Sequence, residues 1–259
     1  MKLILENETS TRQNILRNLL KLAGYKDVRD LQSQNKLVVD GIFGLASWNS
    51  LYIKLLNVLP VNFEGYYYKQ ASNKKQIVWH HSAGSDDAVN MFEWWKRDGV
   101  THVATCIGIE KSGRVVKGYD EGFWGHHIGM SNAQNQVRNI ESIAVELTNW
   151  GNLSANLTTW ANTKVAQKDV IELNYKGSKF YELYPDSQIK ALELWTVLVA
   201  LRFDIPLTYN EKDMWELSQD AINGKVGIFT HNSFISWKTD VSPQPKLIEM
   251  AKKLIEYTK

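Results

Sequence analysis

The chain has 259 residues, 44% hydrophobic and 22% charged, with a formal net charge of +2. That composition supplies a packed core and excludes gross disorder, and without a long Lys/Arg run it gives no nucleic-acid footprint. A single cysteine, Cys106, excludes an internal disulfide framework and a cysteine-rich zinc site.

The length suits one ordinary domain plus a small one. The first residues, MKLILENETS, carry an apolar patch broken at Glu6 and Asn7. It is too short for a secretory leader and lacks a small-residue cleavage site. No run approaches the length of a membrane span. The expectation is a chain made in the cytoplasm without membrane insertion, and carried by other machinery to any substrate outside.

Residues 10–22, STRQNILRNLLKL, predict a helix capped by Ser10 or Thr11. Ile15, Leu16, Leu19, Leu20 and Leu22 form its apolar stripe, and Gly24 ends it. A second helix is predicted over Val28–Gln34. Asp40–Gly41 and Gly44 make a tight turn before a third, Ser47–Leu56, with Trp48, Leu51, Leu55 and Leu56 inward. Pro60, Gly65 and the polar ASNKK stretch mark a linker. Tyr66, Tyr67 and Tyr68 within it serve either to stack on sugars or to pack against the following unit. The predicted organisation is a helical unit over 1–58, a linker over 59–74 and a larger unit over 75–259.

From residue 75 strands alternate with helices. QIVWHHSA, HVATCIGI, GRVVKGY, SIAVELTNW and VGIFTH read as strands. DDAVNMFEWWKRDG, capped by Ser85 and stopped by Gly99, reads as a helix, as do residues 186–203 and the terminal PKLIEMAKKLIEYTK. This order predicts an α/β fold, a mixed central sheet flanked by helices, beside a small all-α N-terminal domain. Residues 150–185 read as a long irregular segment, of the kind that forms a binding rim. Trp150 and Trp160 within it are candidate substrate-binding residues, joined by Tyr175, Phe180 and Tyr181.

In the strand 77–82 side chains alternate, so His80 and His81 face opposite ways. His80 shares its face with Val78 and Ser82. His231 also ends a strand, with Asp240 nine residues on and Lys238 two before it. If the strand ends are adjacent, His80, His231 and Asp240 form a His/His/carboxylate set with one open tetrahedral position, as catalytic zinc requires. The spacing equally allows half-buried histidines held by carbonyls and a solvated Lys–Asp pair. Glu146 shares a strand face with Ser142 and Ala144. A carboxylate among apolar neighbours needs a partner or a task. A base beside a metal-held water fits, and so does a salt bridge. Lys238 suits an oxyanion, which makes the set read as metal-assisted hydrolysis of an amide or ester. Cys106 falls in a strand pattern on the face of His102, as a buried structural thiol rather than a nucleophile.

WHHSAG, GRVVKGYDEGFWGHHIG, SIAVEL and THNSFISWKTD resemble, in order and spacing, the motifs of the zinc-dependent N-acetylmuramoyl-L-alanine amidases. This is the amidase-2 group, related to peptidoglycan recognition proteins. The resemblance covers roughly residues 75–245. It implies that family's mixed-sheet fold, a Zn2+ cofactor, and hydrolysis of the amide between the muramic acid lactyl group and L-alanine. It implies His80, His231 and Asp240 as zinc ligands, Glu146 as base, Lys238 as the oxyanion or substrate group, and His127 as a cleft histidine near substrate. Two departures stand out. Thr105 and Cys106 occupy the place where the family often has tyrosine, which shifts weight onto Glu146, and SFISW replaces the usual loop before the lysine. VDGIFGLASWNSL resembles the DGxFGxxT motif of peptidoglycan-binding modules, with Ser47 at the usual threonine. The implied partner is bacterial peptidoglycan, with no obligate protein partner. The implied setting is endolysin-like, reached by holin-type release or dedicated export. The rival reading is a non-catalytic recognition protein of the same fold, which usually lacks one or more of the ligands.

Overall fold

The computed structural model describes residues 11–99 and 101–259. Helix α1 spans Thr11–Ala23 and buries Ile15, Leu16, Leu19 and Leu20. Leu22 falls at the rim of this stripe and is half exposed. Gly24, at φ +84°, ends the helix in the left-handed region that glycine enters without a Cβ clash. The predicted cap Ser10 lies outside the described residues. Helix α2, Val28–Gln34, is capped by Asp27, and α3 spans Leu45–Leu55. Leu55 is only half-buried, but Trp48, Leu51 and Leu56 are inward as expected. The DGIFG turn between them is structural: Asp40 Oδ1 accepts from Ile42 N and Gln32 Nε2, both at 2.8 Å, and Phe43 is fully buried.

The remaining elements follow in chain order: β1 Val58–Pro60, β2 Gln76–His81, α4 Ala88–Arg97, β3 Ile107–Ile109, β4 Val115–Lys117, α5 Gln134–Glu141 and β5 Ser142–Leu147. Then come β6 Asn152–Leu153, β7 Val170–Tyr175, β8 Ser178–Glu182, α6 Asp186–Phe203, α7 Glu211–Trp215, α8 Gln219–Ile222, β9 Gly227–Thr230 and α9 Pro245–Lys253. Asp87, not Ser85, caps α4: its side chain accepts from Asn90 N at 2.8 Å. Asp87 sits three residues before that N–H, the spacing an N-cap needs.

The main sheet has the order β1-β4-β3-β5-β2-β9. Only β3 and β4 pair antiparallel, joined through the Lys111-Ser112-Gly113 turn. The other neighbours are parallel. Helix α6 packs on one face and is buried almost throughout, with α1, α3 and α9 outside it. Helix α4 packs against β3 closely enough that a Cβ on Gly108 would stand 2.7 Å from Met91 and 2.8 Å from Ala88. Residues 150–185 are not irregular: β6, β8 and β7 form a separate three-stranded antiparallel sheet. Its short, bulged strands carry no regular apolar alternation, which hid it from periodicity.

The N-terminal helices share one continuous buried core with the sheet. Trp48 Nε1 donates to Leu198 O of α6 at 2.9 Å, and the Arg12 guanidinium donates to Leu201 O at 3.0 Å. The Arg202 guanidinium lies over the Trp48 ring and pairs with Asp120 and Glu121. The segment read as linker begins as the edge strand β1, and Tyr67 stacks on Tyr119 with centroids 4.6 Å apart.

Candidate metal centre

Strand β2 lies between β5 and β9, and this placement assembles the site. The registers pair His80 with Glu146 and Trp79 with Thr230, so His231, the next residue after Thr230, stands beside His80. In a parallel sheet these positions lie at the carboxyl ends of the strands, where open α/β sheets form their crevice. A 3₁₀ turn at His231–Ser233 redirects the chain, fixed by reciprocal bonds between Thr230 and Ser233. Asn232 Nδ2 donates to Val241 O at 2.8 Å, which brings the returning loop and Asp240 back to the strand ends.

His80 Nδ1 lies 3.1 Å from His231 Nδ1; Asp240 Oδ2 is 2.8 Å from the second and 3.4 Å from the first. All three residues are buried. Hydrogen-bond bookkeeping decides what these atoms are. Ile128 O, 2.7 Å from His231 Nε2, can only accept, so Nε2 carries a proton and Nδ1 is the nitrogen turned to Asp240. On the other ring, Ser142 Oγ donates to Arg138 O, so it accepts from His127 Nε2–H at 2.7 Å. His127 Nδ1 then accepts from His80 Nε2–H at 3.1 Å, and His80 Nδ1 is left with a lone pair. Burial holds both rings neutral: it pushes His80 down to about 4 and His127 well below the usual histidine value. Burial alone would raise Asp240, but His231 and His80 beside it more than offset this, leaving its carboxyl well below the usual range.

Two ring nitrogens and a carboxylate oxygen therefore converge on one point. Three such atoms around one point suit a proton or a metal cation between them. Ligands about 2.0–2.1 Å from a tetrahedral zinc ion stand about 3.3 Å from one another. The observed separations bracket that value, so these residues fit the ion that the sequence implies.

The surrounding cavity has a volume of about 370 Å³ and includes Glu146, His127, Lys238, Thr105 and Trp237 in its lining. Glu146 is half-buried, and among the described residues its Oε2 has no hydrogen-bond partner and its carboxylate no ion pair. Burial first, and then the charge of Asp240, raises its carboxyl well above the ordinary value. Lys238 Nζ stands 5.2 Å from the ring centre of Trp237, itself 72% exposed at the mouth. Thr105 Oγ1 donates to Ile107 O at 2.9 Å and is thereby committed to the backbone.

The other candidates fall in distinct places. His81, on the opposite face from His80 as alternation requires, meets Tyr184 Oη at 2.7 Å. His126 bonds Tyr68 Oη at 3.2 Å, and Tyr68 stacks on Trp124 and His102. Trp150 and Trp160 pair edge to face at 6.1 Å, outside the cavity. Cys106 is buried, its thiol pushed up by burial, and Sγ donates to Ala144 O. Two supporting residues were not singled out from the sequence. Ser142 anchors His127, and Asn139 Oδ1 accepts from the backbone N–H groups of His127 and Ile128 at 2.8 and 3.1 Å. The signal for Ser142 was its shared strand face with Glu146; Asn139 lies on α5, whose pattern gave none.

No family model and no curated protein matches the sequence. Several solved structures resemble the fold. The N-acetylmuramoyl-L-alanine amidase LysC from Clostridium intestinale URNW matches at 14% identity and a TM-score of 0.45, over 74% of this chain and 93% of that one. The Ph2119 endolysin from the Thermus scotoductus MAT2119 bacteriophage Ph2119 matches at 16% and 0.40, over 76% and 99%. The N-acetylmuramyl-L-alanine amidase AmiD from E.coli matches at 16% and 0.42, over 71% and 60%.

Proposed function

We propose that the chain is a peptidoglycan hydrolase that cuts the amide between the N-acetylmuramic acid lactyl group and L-alanine. The observation that carries this reading is the convergence of His80 Nδ1, His231 Nδ1 and Asp240 Oδ2 on one point, beside Glu146 and Lys238. Three of the four motifs that resemble the zinc amidases supply those five residues, and the fourth supplies His127.

His80, His231 and Asp240 hold a Zn2+ ion, which when bound lowers the pKa of a water to about 7 and polarises a carbonyl. Glu146 takes a proton from the attacking water and delivers it to the departing alanine amine. Burial raises its carboxyl above the ordinary value, which makes it a stronger base than an exposed carboxylate. Lys238, from the cavity wall, offers its ammonium to the oxyanion that forms on the amide. Among the described residues no tyrosine lines this cavity and Thr105 Oγ1 is bonded to backbone, so the proton transfer falls to Glu146 in this reading. His127 lines the cavity toward substrate and also orients His80. The helical unit over 1–58 contributes to holding the wall polymer. The site of action is the cell wall, reached by holin-type release or dedicated export; among the described residues no helix is long and apolar enough to cross a membrane.

Mass spectrometry of purified peptidoglycan digested with and without a chelator tests this. Stem peptides with a free L-alanine amine, lost on chelation, are expected. A zinc-loaded chain that binds wall and releases none is a non-catalytic recognition protein instead.

A further inference from the structure

A second concavity, of about 540 Å³, lies over the three-stranded sheet and plays no part in the chemistry above. Its lining includes Asn152, Ser154, Thr158, Trp160, Ser178 and Phe180. Asn152 also lines the metal-centre cavity, so the two adjoin at this residue.

Trp160 is 75% exposed, yet it is held at two points. Its Nε1–H donates to Ala83 O at 2.6 Å, and Trp150 packs against it edge to face. Ala83 itself lines the metal-centre cavity, which puts the indole at the junction of the two. An exposed ring fixed before any ligand arrives loses little entropy on binding. Its apolar face suits a flat apolar partner such as the C–H face of a sugar.

The rest of the lining mixes apolar Leu153, Ala155 and Phe180 with neutral polar groups and one lysine. It offers the Asn152 amide and the hydroxyls of Ser154, Thr158 and Ser178, and no carboxylate. Its one cation, Lys179, stands 3.3 Å from Glu172. A stem peptide presents carboxylates, which call for an Arg or Lys free to pair with them. A saccharide calls for an aromatic face and neutral donors and acceptors, which this groove has.

We infer that the groove is an extended saccharide subsite, which holds the amino-sugar chain of the polymer beside the metal centre with Trp160 as its stacking platform. The identity of the sugar chain rests on the peptidoglycan reading; the groove and its chemistry do not.

Calorimetric titration of the whole chain with a peptide-free tetramer of N-acetylglucosamine, and separately with L-Ala-D-γ-Glu-L-Lys, tests the inference. The tetramer binds; Trp160→Ala weakens it about tenfold, as loss of a buried aromatic contact does, and Trp160→Phe restores part. Phe180→Ala, on the other side of the groove, weakens it as well, with the thermal midpoint held as the folding check. No binding of the tetramer, or binding at the parent affinity by both alanine variants, overturns the assignment. So does a tripeptide whose affinity falls in place of the tetramer's. The tetramer has no muramoyl–alanine amide, so the two readings fail separately. A chain that binds it through Trp160 but cuts no wall overturns the amidase reading alone. A chain that cuts wall and ignores the tetramer overturns the groove alone.

Discussion

His80 Nε2 lies 3.1 Å from His127 Nδ1, and that bond is the reason His80 turns its Nδ1 to Asp240 and His231. The chain of donors runs on through Ser142 to the carbonyl of Arg138, so a helix end, a strand start and two rings share one proton arrangement.

The relay sets metal affinity. Replacing a ligand, as in His80→Ala, His231→Ala or Asp240→Ala, removes zinc binding. His127→Phe and Ser142→Ala keep all three ligands and weaken binding about 10–100-fold, the range for outer partners of a metal site. Competition against a fluorescent chelator measures both. Unchanged affinity in His127→Phe would show that His80 needs no orienting partner.

Glu146→Gln separates proton transfer from metal binding. It keeps the shape of the side chain in a wall where Oε2 has no partner to lose. Zinc content stays at about one per chain, while turnover of a muramyl peptide falls about 10²–10⁴-fold, the usual worth of a positioned acid or base. Turnover at the parent rate with normal zinc content takes the proton-transfer role away from Glu146.

Trp48→Ala tests whether the first helices unfold with the sheet. The side chain is fully buried, bonds Leu198 O and sits under the Arg202 guanidinium. Its loss costs about 3–5 kcal/mol. Because the core is continuous, the cost appears as a shift of one urea transition followed by both fluorescence and circular dichroism. A split into two transitions would show an independent N-terminal module.

Cys106 is inert in the folded chain. It is 2% exposed and burial raises its thiol, which disfavours the reactive thiolate. An aromatic disulfide reagent should label it only as fast as the protein unfolds. Rapid labelling under native conditions, with folding intact, contradicts its burial.

Much of the scaffold was legible because it obeys simple periods. The strand alternation in QIVWHH put His80 and His81 on opposite faces, and the helix stripe of α1 predicted most of what it buries. Legibility failed where local pattern is weak. The three-stranded sheet, with its two-residue and bulged strands, read as irregular. The cap of α4 was placed two residues early because Ser85 and Asp87 both have capping side chains and only backbone geometry chooses between them.

The candidate site divides the same way. Sequence alone determined the chemistry available: two histidines at strand ends, a carboxylate and a lysine within one loop, and a glutamate on an otherwise apolar strand face. It did so because alternation and short spacings are local properties. Tertiary structure decided that β2 lies between β5 and β9, which ring nitrogens point at Asp240, and that the first helices share a core with the sheet. Those facts depend on residues far apart in the chain, Ser142 under His127 and Leu198 under Trp48 among them. Such pairings come from burying apolar area across the whole molecule, and no local period records them.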